Sequence, residues 1–100
     1  MKIRLLLVDD HAVVRTGLRM MLEGEKDMEI VGEAENASEA LNQISVLEPQ
    51  VVLMDIGLPD MSGIEATRQI KQLAPETAIV ALTIHEDEEY FFKMLDAGAS

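Results

Sequence analysis

Four residues in this sequence follow short apolar runs and carry groups able to do chemistry. Asp9 and Asp10 come after Ile3 to Val8, Asp55 after Val51 to Met54, and Thr83 after Ala78 to Leu82. Each run suits a strand buried on both faces of a parallel sheet. In open parallel sheets, ligands bind outside the carboxyl ends of the strands. Three strands thus deliver three carboxylates and a hydroxyl to one edge. A single aspartate after a strand is ordinarily a turn or capping residue. Convergence of three changes that reading, because two carboxylates ~4 Å apart repel by about 4 kcal/mol at an effective dielectric of roughly 20. A cation or a proton must offset the cluster. Oxygen donors without histidine or cysteine ligands suit a hard ion, Mg²⁺ before Ca²⁺ or Zn²⁺.

A carboxylate can itself attack phosphorus when a metal neutralises the incoming phosphoryl group. Asp55 stands alone after its strand and is the candidate nucleophile, with Asp9 and Asp10 supplying metal ligands. Thr83 can donate a hydrogen bond to a phosphoryl oxygen; a strand-end threonine that satisfies the backbone is the other reading. The glycine-rich motifs G-x-x-x-x-G-K-[ST] and G-x-G-x-x-G are absent, so nucleotide cradling is unsupported. Neither a Ser-His-Asp arrangement nor G-x-S-x-G appears.

The elements that must position these residues are legible in the spacing. Val14, Leu18, Met21 and Leu22 form one stripe of a first helix, which Gly17 weakens by about 1 kcal/mol relative to alanine. Glu29 to Ala34 reads as a more polar edge strand. Asn36-Ala-Ser-Glu39 opens a second helix with core residues Ala37, Ala40, Leu41, Ile44 and Leu47, ended by Pro49. Ser62-Gly-Ile-Glu65 is a capping box for a third, with Ala66, Ile70, Leu73 and Ala74 inward and Pro75 as its stop. Glu86 to Glu89 opens a fourth, with Phe91, Met94 and Leu95 on its apolar face and Gly98 as C-cap. Alternating βα units of this kind predict an α/β sheet, mostly parallel, with right-handed crossovers.

Composition narrows the function classes. One hundred residues are one domain's worth of chain, and 48% apolar content excludes a disordered polymer. Having no cysteine removes disulfides, thiolate zinc sites and cysteine nucleophiles together. Nineteen acidic residues against eight basic ones, a net charge of -11, argue against non-specific nucleic-acid binding and against docking on an anionic membrane. No apolar run approaches the ~20 residues of a membrane span. A soluble, intracellular, acidic domain is the expectation.

The blocks L-L-V-D-D-H-A-V-V-R-T-G-L (Leu6 to Leu18), V-L-M-D-I-G-L-P-D-M-S-G-I-E-A (Val52 to Ala66) and A-L-T (Ala81 to Thr83) resemble the receiver domain of two-component response regulators. The D-D-H-x-x-V-R variant and the M-D-I-x-L-P-x-M-x-G block resemble the NarL/FixJ (LuxR-type) transcription regulators. The resemblance runs from Ile3 to Ser100. It implies a flavodoxin-like (CheY-like) doubly wound parallel sheet of five βα units in the order 2-1-3-4-5. Asp55 matches the phospho-acceptor, which receives its phosphoryl group from a sensor histidine kinase. Asp10 and Asp55 match direct Mg²⁺ ligands, Asp9 a ligand acting mainly through water, and the Gly57 carbonyl the backbone ligand. Thr83 matches the switch hydroxyl that moves onto the phosphorylated aspartate. A phosphoryl group adds nearly two negative charges and biases a two-state loop. Such a module assists only its own phosphorylation and dephosphorylation, is cytoplasmic, and leaves DNA contact to a separate output domain.

The family's fifth-strand lysine has no counterpart here: Lys71 and Lys93 fall on expected helices, and Tyr90 precedes the position of the aromatic switch residue. The expectation is therefore a receiver spanning 1–100, of order 2-1-3-4, with its fifth βα unit and effector domain missing. An uncovered fourth strand invites self-association through the fourth-strand and fourth-helix side. Two other classes fit the acidic site. One is a Mg²⁺-dependent aspartyl-phosphate phosphatase or phosphotransferase, although Asp9-Asp10-His11 lacks the D-x-D spacing of haloacid-dehalogenase-like enzymes. The other is a phosphorylation-incompetent interaction module. His11, after the acidic pair, is either a supporting or gating contact outside the ligands or a solvated residue at a helix start, and His85 an exposed loop residue. Among the methionines, Met21, Met54 and Met94 are expected in the core, and Met61 at a partner contact.

Overall fold

The computed structural model describes residues 2–55 and 57–82. Four parallel strands, β1 (Ile3–Val8), β2 (Met28–Ala34), β3 (Val51–Asp55) and β4 (Ala78–Leu82), form one sheet in the order β2-β1-β3-β4. The connecting helices are α1 (Ala12–Glu23), α2 (Ala37–Leu47) and α3 (Gly63–Leu73). The expected order 2-1-3-4 is the observed one, with β2 at an edge. The expected fourth helix, with Phe91, Met94, Leu95 and Gly98, lies outside the described residues, as do Thr83, His85, Tyr90 and Lys93.

Strand periodicity divides the sheet into two faces. Leu6 and Val8 of β1, Val52 and Met54 of β3 and Ile79 of β4 join Ala37, Ala40 and Ile44 of α2 and Ala66 and Ile70 of α3 in one buried core. The alternate residues Leu5 and Leu7 are buried under the opposite face, where α1 lies. Asp9 continues the Leu5–Leu7 alternation, and Asp55 continues that of Val51 and Leu53. Period two therefore sends both carboxylates to the α1 side.

Two local features shape β2 and its crossover. Register against β1 shifts between Leu5 and Leu6, so Val31 is an extra residue and Gly32 pairs with Leu6. A Cβ at Gly32 would stand 2.6 Å from Gln43 Oε1 and Leu47 Cδ1, so α2 crosses β2 where only glycine fits without displacement. At the end of α2, Glu48 takes a left-handed conformation with φ of 47°, its amide donating to the Ile44 carbonyl.

Some helix faces differ from their expected ones. Met21 is 73% exposed and Leu73 57% exposed. In α1 no residue is fully buried, and Arg15 and Arg19 reach from it to Glu33 of β2. In α3, Thr67 takes the inward place, its hydroxyl donating to the Gly63 carbonyl at 2.7 Å. Val80 is 37% exposed, so β4 is covered on one face only among the described residues. Met54 is fully buried as expected, and Met61 is half-buried against the core.

Candidate functional site

Register brings the acidic residues together. Val8 pairs with Met54 across the β1–β3 boundary, so the next residues, Asp9 and Asp55, leave neighbouring strands side by side. The Asp9 amide donates to the Ala34 carbonyl of β2 at 3.0 Å, extending the ladder one step beyond the strand. The β3–α3 loop returns to Asp55, whose Oδ1 accepts from the Gly57 amide at 3.1 Å. A Cβ on Gly57 would lie 3.7 Å from that same oxygen, in ordinary contact.

His11 completes the cluster. Its Nδ1 stands 2.9 Å from Asp9 Oδ1, 2.9 Å from Asp10 Oδ1 and 4.0 Å from Asp55 Oδ2. The His11 amide also donates to Asp9 Oδ1, at 2.8 Å. Asp9 is buried at 4% exposure, and these two donors satisfy an oxygen that would otherwise be costly to desolvate. The hydrogen bond to Asp9, followed by the charge of Asp10, raises the His11 pKa above its ordinary value against an opposing desolvation, with the charges of Asp9 and Asp55 adding to the rise. His11 is the N-cap residue of α1 but makes no side-chain cap there, because its ring is turned to the carboxylates.

One ligand atom from each of Asp9, Asp10, His11 and Asp55 lies within 4.8 Å of all the others. The donor set fits a hard divalent cation through its three carboxylates. The three carboxylates are grouped by the sequence; direct contact of His11 with them is not, and the D-D-H adjacency is its only signal. Thr83 lies outside the described residues. Lys71 is remote from the site, its Nζ donating to the Pro75 and Thr77 carbonyls at 3.1 and 2.8 Å. A cavity of about 790 Å³ lined by Arg4, Glu48, Pro49, Leu73 and Thr77 sits at the amino ends of the strands, opposite the carboxylates.

Two further side chains tie neighbouring segments together. Arg15 of α1 donates to the Asp9 carbonyl and to Glu33 and Glu35. Asp60 of the β3–α3 loop accepts from the Ala37 and Ser38 amides at 2.9 and 3.0 Å. These backbone donors hold the Asp60 pKa below the usual carboxylate range.

Known proteins resemble this chain in sequence and in fold. Residues 5–100 match the family profile of the response regulator receiver domain. The response regulator GacA of Pseudomonas viridiflava is 41% identical over 98 residues, covering 98% of this chain and 46% of that protein. The oxygen regulatory protein NreC of Staphylococcus haemolyticus is 43% identical over 97 residues, covering 96% of this chain and 45% of NreC. The chain thus spans about half the length of these curated relatives. A crystal structure of a LuxR-family two-component response regulator from Aurantimonas sp. SI85-9A1 superimposes with a TM-score of 0.95 at 39% identity, covering all of this chain and 71% of that one.

Proposed function

Because this chain belongs to the response regulator receiver domain family, we propose that Asp55 is its phospho-acceptor and that a sensor histidine kinase is the donor. The observation supporting this is the cluster itself, in which Asp55 meets Asp9 and Asp10 at the carboxyl edge of the sheet. An Asp55 carboxylate oxygen forms a bond to phosphorus as the P–N bond of the kinase phosphohistidine breaks, and the imidazole nitrogen leaves with a proton from solvent. Asp10, Asp55 and the Gly57 carbonyl would hold Mg²⁺, with Asp9 mainly through water; the ion supplies positive charge against the phosphoryl oxygens. Asp9 keeps the β1 end in place, and the Gly57 amide orients the Asp55 carboxylate. Thr83 donates its hydroxyl to the phosphoryl group and carries the switch.

In this reading the module acts in the cytoplasm on an output domain of a longer protein, and its own phosphoryl group is the only one it turns over. No described helix is long and apolar enough to cross a membrane. The 37% exposure of Val80 on β4, among the described residues, supports association of two copies through the fourth-strand side. Light scattering after size exclusion tests that element, and a clean monomer at micromolar concentration removes it.

The phosphorylation reading is tested by incubating the chain with acetyl phosphate and Mg²⁺ and measuring intact mass. One acid-labile adduct, lost with EDTA and in Asp55→Asn, is the expected result. Multiple turnover of a phosphate ester would instead favour a phosphatase, and no adduct with no metal response would leave an interaction module.

A further inference from the structure

The D-D-H-x-x-V-R block places Arg15 one helical turn beyond His11, and its side chain is used in a way the acceptor reading does not require. The Arg15 side chain is only 12% exposed although it starts on a helix with no fully buried residue. Its Nη1 donates to the Asp9 carbonyl, its Nε to Glu33 Oε1 at 3.2 Å and its Nη2 to Glu35 Oε1 at 3.4 Å. Glu33 is further held by Arg19 from the next turn of α1. The planar guanidinium thus ties three segments together: the β1 end, the β2 end and α1.

The Asp9 carbonyl belongs to the peptide bond that leads into Asp10. The Asp9 amide, part of the preceding peptide bond, donates to the Ala34 carbonyl. With the peptide groups on both sides of Asp9 bonded, the Asp9–Asp10 peptide plane is constrained, and with it the point at which Asp10 enters the site. We propose that Arg15 is a positioning residue for the metal-binding pair, acting through the Asp9 carbonyl, with Glu33 and Glu35 holding its fork in place. This rests on the acceptor reading above, since it assumes that Asp9 and Asp10 serve a divalent cation.

Charge and position make opposite predictions here. Removing a positive charge near two carboxylates strengthens cation binding if charge alone matters. Loss of the fork weakens it if position matters, and outer partners of metal ligands typically alter affinity by at least about tenfold. Lysine keeps the charge but cannot donate to three acceptors in one plane.

The test titrates Mg²⁺ into the full chain and follows the amide chemical shifts of Asp55 and Gly57, at a temperature where circular dichroism shows each variant folded. Arg15→Ala and Arg15→Lys are both expected to weaken Mg²⁺ about tenfold. Tighter binding in Arg15→Ala, or wild-type affinity in folded Arg15→Lys, overturns the proposal while leaving the acceptor reading intact. If Arg15→Ala does not fold, Arg15→Lys decides alone. A wild-type chain that shows no Mg²⁺ response overturns both.

Discussion

The carboxylate of Asp60 accepts a hydrogen bond from the Ala37 amide at 2.9 Å, fastening the loop that follows Asp55 to the first turn of α2. Its second oxygen takes the Ser38 amide, and the Asn36 side chain takes that of Glu39. The opening donors of α2 are thus shared between its own cap and a loop 23 residues further on. These bonds form a tether between the β3–α3 loop and α2.

The tether is pH-dependent in a defined direction. The folded pKa of Asp60 is depressed below its ordinary value of 3.8, so its stabilisation is present above that value. It is lost as the pH falls through the folded pKa. Asp60→Asn is expected to lower the thermal midpoint by a few degrees at neutral pH, and the gap from wild type is expected to close in strong acid. Thermal unfolding of both proteins across an acid series measures this.

His11 titrates in the opposite sense. Its folded pKa is raised, so its attraction to Asp9 and Asp10 is fully present below 6.5 and is lost as pH rises through the folded value. In the metal-free chain its ring resonances are expected to titrate above 6.5, and Asp9→Asn is expected to bring the midpoint down. An NMR titration of the His11 ring checks both.

Glu48→Gly is expected to stabilise the chain by about 1 kcal/mol. Glutamate at φ of 47° carries a steric cost that glycine does not, and glycine keeps the carbonyl that Arg4 binds. Urea unfolding should show a higher midpoint with an unchanged slope.

Gly32→Ala is expected to destabilise by about 1 to 2 kcal/mol. The new methyl meets the ends of Gln43 and Leu47, which can yield, but moving Gln43 sacrifices its 2.9 Å bond to the Glu33 carbonyl. Gly32→Val should cost more, since a branched side chain leaves less room for either to yield. The same urea measurement ranks the two.

What could be read without coordinates follows from how local each signal is. Strand ends are local, and once parallel strands share a register, Asp9 and Asp55 must emerge together; this part was legible. The Asn36 and Ser62 caps were legible for the same reason, their acceptors lying three residues from their donors. Asp60 was not, because its partners on α2 are fixed only by packing. Met21 and Leu73 were misread as core because a helical stripe shows which residues share a face but not what covers it. Gly32 is legible as a strand residue, but the close approach of α2 that requires glycine there is fixed only by packing.

The central claim is that one particular carboxylate takes the phosphoryl group. Treating the chain with acetyl phosphate and Mg²⁺, then reducing with borohydride, converts an acyl phosphate to homoserine at the residue that carried it, and peptide mapping reads the position. Homoserine at position 55 alone is the predicted result. Homoserine at Asp9, Asp10 or Asp60 with Asp55 unchanged, or none at any aspartate, would contradict it.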